Sequence, residues 1–125
     1  MAKTKVKEIE WLPNEEEHDY PAAESFLRII YNEDRVAQMM AGLRSAANVQ
    51  FKAKDIFIAS QLPLLGFCNS HVARDRKKIR KGQGLSPLLL VRDEQNGKVV
   101  IADGYHRLCA IYAFNEDALI QCKIV

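Results

Sequence analysis

The 125-residue chain is predicted to fold as a mixed α+β domain, a small mixed sheet packed with helices and preceded by an N-terminal helical segment. Three observations predict it. Between residues 21 and 47 apolar side chains recur at helical spacing, whereas Pro87-Leu88-Leu89-Leu90-Val91 and Lys98-Val99-Val100-Ile101-Ala102 are short apolar runs joined by turn residues. The second of these runs then passes through Asp103-Gly104 into a helical pattern.

Each element has a local reason. Pro21 suits a first helical turn, and Ala22, Phe26, Leu27, Ile29 and Ile30 give a helix over about 21–31. Asn32 can cap a second helix with Val36, Met39, Met40 and Leu43 as its apolar stripe, ending near Ala46 or Ala47. Val49 and Phe51 alternate with polar residues, and Asp55-Ile56-Phe57-Ile58-Ala59 is expected to be a short buried strand. Pro63 and Gly66 interrupt the chain before Asn69 or Ser70 caps a third, highly charged helix over 70–81, which Gly82 and Gly84 stop. The two apolar runs pair as a hairpin across Asp93 to Gly97. The last helix starts at Asp103 or Gly104 and runs to about Phe114, and residues 121–125 return as a strand.

A length of 125 residues with 48% hydrophobic residues allows one compact core, so a single domain is expected. Residues 1–20 are expected to be a loose polar leader, residues 21–47 a helical extension and residues 54–125 the core. The net charge of +2 lacks the strong positive field of a dedicated nucleic-acid coat protein. Cys68, Cys109 and Cys122 are odd in number and share no CxxC spacing, which favours a reducing, cytoplasmic setting. No apolar run has the length of a signal peptide or a membrane span.

The chemistry concentrates in Asp103-Gly104-Tyr105-His106-Arg107. Gly104 permits close backbone approach, and the unpaired amides of a helix start, with the helix dipole, attract an anion. Arg107 can bind two phosphate oxygens at once, and His106 can donate a hydrogen bond or exchange a proton near neutral pH. Asp103 is either a helix cap or, beside a nucleotide, a base or metal ligand. Together Gly104, Tyr105, His106 and Arg107 are the expected phosphate-binding residues, with Asp103 and His106 the catalytic candidates.

This turn, with the hairpin before it and Leu108-Cys109-Ala110 continuing the helix, resembles the signature of the ParB and sulfiredoxin-like superfamily. The resemblance covers about residues 54–125 and implies a nucleotide such as ATP, ADP or CTP at the turn, with Mg2+ where phosphoryl chemistry occurs. Within the superfamily the sulfiredoxin cysteine would fall on Tyr105, so sulfinic-acid reduction is not expected. Partitioning proteins carry a helix-turn-helix domain after this fold, whereas the chain ends at Val125. The free serine kinases resemble it most in the Asp-Gly-X-His-Arg form of the turn, but they need a further acid upstream, for which Asp55 is a candidate by position. The implied function is nucleotide or phosphate binding, with phosphotransfer or nucleotide hydrolysis as its enzymatic form. The alternative is a non-catalytic DNA-binding or partner-binding module.

Two charged stretches flank this reading. Arg74, Arg76, Lys77, Lys78, Arg80 and Lys81 form either a solvated helix face or a phosphate-contacting surface for a nucleotide or for DNA. Ser70, His71, Arg74 and Lys78 are the candidate secondary anion contacts. The cluster Glu15-Glu16-Glu17-His18-Asp19 is expected to be a solvated lead-in to the first helix, its spacing matching no defined metal site, though its charge suits a fold-back onto the basic helix.

Overall fold

The computed structural model describes residues 8–66 and 69–125, so Cys68 lies outside the described residues. Among the described residues five helices and four strands follow in the order α1 (Asp19–Ile30), α2 (Glu33–Ser45), β1 (Val49–Lys52), α3 (Ala53–Ser60), α4 (Ser70–Arg80), β2 (Leu88–Asp93), β3 (Lys98–Asp103), α5 (Tyr105–Phe114) and β4 (Leu119–Ile124). The mixed α+β expectation holds. Strands lie in the order β1-β4-β2-β3, with β4 parallel to β2 and both outer pairings antiparallel.

The hairpin forms as the turn residues predict. Asp93 accepts the Asn96 amide, and Gly97 takes a left-handed φ of 63° at the end of a short 3-10 turn. Helix caps also follow the sequence: Asn32 accepts from the Arg35 amide and Asn69 from those of His71 and Val72.

Strand β2 is a continuous apolar run because both of its faces are covered. Leu88 and Leu90 join Val99 and Ile101 in a cluster with Ala53, Ile56, Val72, Ile79, Leu108 and Ile111 from α3, α4 and α5. Leu89 and Val91, with Val100 and Ala102, face Tyr20, Ala23, Leu27, Val36 and Leu43 from α1 and α2. The sheet is therefore the middle of three layers.

Two expectations are corrected. Asp55 to Ala59 is not a strand but part of α3, with Ala53, Ile56 and Ser60 buried at 0%, 3% and 5% exposure. A short apolar run reads equally as strand or buried helix, and the spacing that decides it begins at Ala53, ahead of the run itself.

The leader is not loose from Glu10 onward, nor is its acidic cluster wholly solvated. Trp11 bridges Leu85 in parallel, the Leu12 amide donates to the Leu85 carbonyl at 2.8 Å, and the Leu85 amide donates to Glu10 at 2.9 Å. Glu16, Glu17 and His18 are exposed, but Glu15 and Asp19 are buried at 8% and 2% exposure. Glu15 can be buried because Lys123 Nζ lies 3.5 Å from its carboxylate and the Tyr20 hydroxyl donates to it at 3.5 Å. Lys123 also donates to the Tyr20 oxygen at 3.2 Å and the Arg44 carbonyl at 3.4 Å. Burial lowers the pKa of this ammonium, yet Tyr20 and Glu15 outweigh it and leave the pKa above its ordinary value.

Breaking this buried pair from one side leaves a carboxylate without a counter-charge. Lys123→Ala is expected to destabilise the fold by about 3 kcal/mol in urea unfolding at pH 7, with the double replacement Glu15→Gln, Lys123→Gln less costly. Equal stability of Lys123→Ala and wild type would show that the pair holds nothing.

Candidate anion-binding cleft

The end of β3 is irregular where the chain turns. Leu89 faces Asp103 while Leu90 faces Ile101, so the pairing shifts by one residue just before the turn. Gly104 then adopts a φ of 107°, left-handed backbone that favours glycine. A Cβ there would stand 2.6 Å from Leu88 Cγ and 3.0 Å from Arg107 Nη2. The turn is closed by packing as well as by backbone conformation.

No side chain caps α5 at Gly104. Its first-turn amides are thus left without a capping partner, and the positive end of the helix dipole faces outward. Asp103 does not cap the helix. Instead Arg107 Nη2 donates to Asp103 Oδ2 at 2.9 Å, four residues back across the turn, and approaches the Pro87 carbonyl at 3.5 Å. Each side chain of this pair is 17% exposed, and Arg107 Nε is buried without a partner.

These residues line a cleft of about 320 Å3 together with Glu16, His18, Asp19, His71, Arg74, Asp75, Lys78, Leu85, Ser86, Gly104 and His106. Asp103, Gly104, His106 and Arg107 thus line one cleft with His71, Arg74 and Lys78. Tyr105 and Ser70 are not among the lining residues. The Tyr105 hydroxyl turns away to donate to the Pro63 carbonyl, and Asp55 lies on α3 at a separate pocket with Phe51, Ile56 and Arg92.

Four acidic groups enter the cleft, and only Asp103 among them was singled out from the sequence as a site residue. Asp19 accepts from the Ser86 hydroxyl and, at 3.0 Å, from the Glu16 amide. Glu16 brings its backbone to Ser86, and Asp75 is buried at 6% exposure on the inner face of α4. The signal for Asp75 was its isolation as the one acid in a basic run. For Asp19 the signal was the charge of the acidic cluster, which suits a fold-back onto the basic helix, but nothing local placed it against Ser86.

Burial raises the Asp103 pKa, Arg107 opposes the rise, and the neighbouring Asp19 carboxylate adds to it. For His106, burial comes first in lowering the pKa; His71, Arg107 and Arg74 push the same way against Asp75. The His71 and His106 rings stand 4.8 Å apart, and Arg74 Nη2 lies 3.0 Å from His71 Nδ1. This environment disfavours the protonated imidazole of His106, and an arriving anion favours it.

Compared with protein-family models, curated proteins and solved structures, the chain matches none. Among the described residues no group of three or more His, Cys, Asp or Glu side chains is arranged to hold a metal, and no helix is long and apolar enough to cross a membrane.

Two tests address this geometry. Gly104→Ala should lower stability by roughly 2 kcal/mol or more in thermal or urea unfolding, because backbone strain and the Leu88 contact act together. Sulfate affinity, measured by calorimetry, should strengthen several-fold from pH 8 to pH 5.5, since an anion favours protonated His106 and raises its pKa from the lowered free value. Protonation of Asp103 removes a repelling charge and acts in the same sense. His106→Gln should flatten the profile; a flat profile in the wild type would remove His106 from the anion site.

Proposed function

We propose that the chain binds a nucleotide or another phosphorylated small molecule in this cleft, through Gly104, His106 and Arg107. The observation that carries the reading is the uncapped start of α5 opening into a cleft whose wall also holds His71, Arg74 and Lys78. The unpartnered Arg107 Nε leaves this guanidinium with donor capacity that its contacts to Asp103 and Pro87 do not use.

The same reading takes the chain as a cytoplasmic member of the ParB/sulfiredoxin-like superfamily. Its support is the strand, turn and helix order around residues 101–107 and the hairpin before it. Sulfiredoxin chemistry is not part of the proposal. Tyr105 occupies the cysteine position, and burial pushes the Cys109 thiol above its ordinary pKa, away from a reactive thiolate.

If the ligand is turned over, the parts suit phosphoryl transfer or nucleotide hydrolysis. Cations and amides neutralise phosphate charge, while Asp103 or His106 holds the moving proton. Mg2+ bound with a nucleotide would take most of its ligands from phosphate and water and one or two from Asp103 and Asp19, where it would add positive charge beside the phosphate. A second reading, a DNA-binding or partner-binding module without catalysis, is favoured by the exposed cations of α4.

Thermal unfolding with ATP, ADP, CTP and inorganic phosphate separates the two. A ligand at 100 times its Kd should stabilise the protein by about 2.7 kcal/mol. Arg107→Lys, which keeps the charge and loses the fork, should reduce that shift. The cleft reading fails if none of the four ligands shifts the wild-type protein.

A further inference from the structure

The cleft holds charge but offers little to a base. Among the described residues no Phe, Tyr or Trp lines it, Leu85 is the one large apolar side chain there, and the rings of His71 and His106 are turned toward each other. Nucleobases are held by apolar walls and aromatic stacking. The recognised part of the ligand is therefore its phosphate, and the remainder lies outside.

Outside the cleft, one direction continues the cationic wall. Arg74 and Lys78 line the cleft, and Lys77 and Lys81 follow each of them by three residues, beside them on the same side of α4. Arg74, Lys77 and Lys81 are exposed, and no ion pair among the described residues engages Lys77, Lys78 or Lys81. Asp75, the acid within this run, is buried on the inner face and does not offset them at the surface. A helix C-terminus is complemented by a cation or two. The stripe exceeds that and begins at the anion site itself.

We infer that cleft and stripe together hold the phosphorylated end of a nucleic-acid single strand. This rests on the proposal that the cleft binds phosphate. The terminal phosphate monoester sits at the start of α5 against His106 and Arg107. The following phosphodiesters track Arg74, Lys78, Lys77 and Lys81, while the bases face solvent and are not read. From Arg74 to Lys81 the helix rises about 10 Å at ~1.5 Å per residue. A duplex strand rises ~3.4 Å per phosphate and an extended single strand spaces its phosphates more widely, so the stripe has room for about two besides the terminal one.

Fluorescence anisotropy with a 12-nucleotide strand tests this, comparing 5′-phosphate, 3′-phosphate and hydroxyl ends in wild-type protein. One phosphorylated end should bind about tenfold or more tightly than the hydroxyl strand, with log Kd against log salt showing a slope near 2, from about 0.7 per contacted phosphate. Lys77→Glu with Lys81→Glu, both at exposed positions, should weaken strand binding about tenfold and lower the slope. The same variant should leave the thermal shift by inorganic phosphate unchanged. Equal binding of phosphorylated and hydroxyl strands overturns the inference while leaving phosphate binding intact. So does competition by poly-glutamate as strong as by the phosphorylated strand, which would point to an acidic peptide. Absence of any phosphate shift in wild type instead overturns the cleft reading beneath it.

Discussion

The cleft depends on the ion pair that Asp103 and Arg107 form across Gly104. With 2.9 Å between nitrogen and oxygen, it joins the last residue of β3 to the first turn of α5. Because each partner is 17% exposed, the charges meet where water screens them only in part. The pair also occupies two groups that an anion site would use, so Arg107 stands between structural duty and ligand binding. Its buried Nε, without a partner, shows that the structural contact leaves donor capacity over.

The rest of the molecule positions this turn. Leu88, fully buried at the start of β2, stands where any side chain on Gly104 would have to go, so core packing sets how tightly the helix can follow the strand. Burial of β2 on both faces fixes that strand, and α4 brings its histidine and cations to the opposite wall. Electrostatics in the cleft is mixed. Basic groups from α4 and α5 face carboxylates from the leader and β3; burial raises the Asp103 pKa against the pull of Arg107, and burial with the neighbouring cations lowers that of His106.

Much of this was legible in the sequence where a local rule determined the outcome. Asn32 and Asn69 announced their helices because a cap acts within three residues, and Asp93 to Gly97 announced the hairpin through turn chemistry. His71, Arg74, Lys78, Gly104, His106 and Arg107, singled out because charge and glycine placement have recognisable uses, line one cleft. The failures share a cause, which is dependence on distant partners. Helix α3 was hidden because its buried positions are known only once the sheet is in place. Glu15 and Asp19 looked solvated because Lys123 and Ser86, the groups that make their burial tolerable, lie far along the chain. Tyr105 carried no local sign that its hydroxyl would bond to Pro63 rather than enter the cleft.

The hydrogen bond from Ser86 to Asp19 spans 67 positions in sequence, and the leader that carries Asp19 is stitched to Leu85 beside it. Closing so long a loop is entropically slow, since the contact returns nothing until the intervening elements are assembled. The cleft can therefore be complete only after both helical layers have docked on the sheet. Its occupancy becomes a gauge of native topology: a partly folded intermediate can possess the hairpin and α5, with their local contacts, and still lack one wall of the pocket.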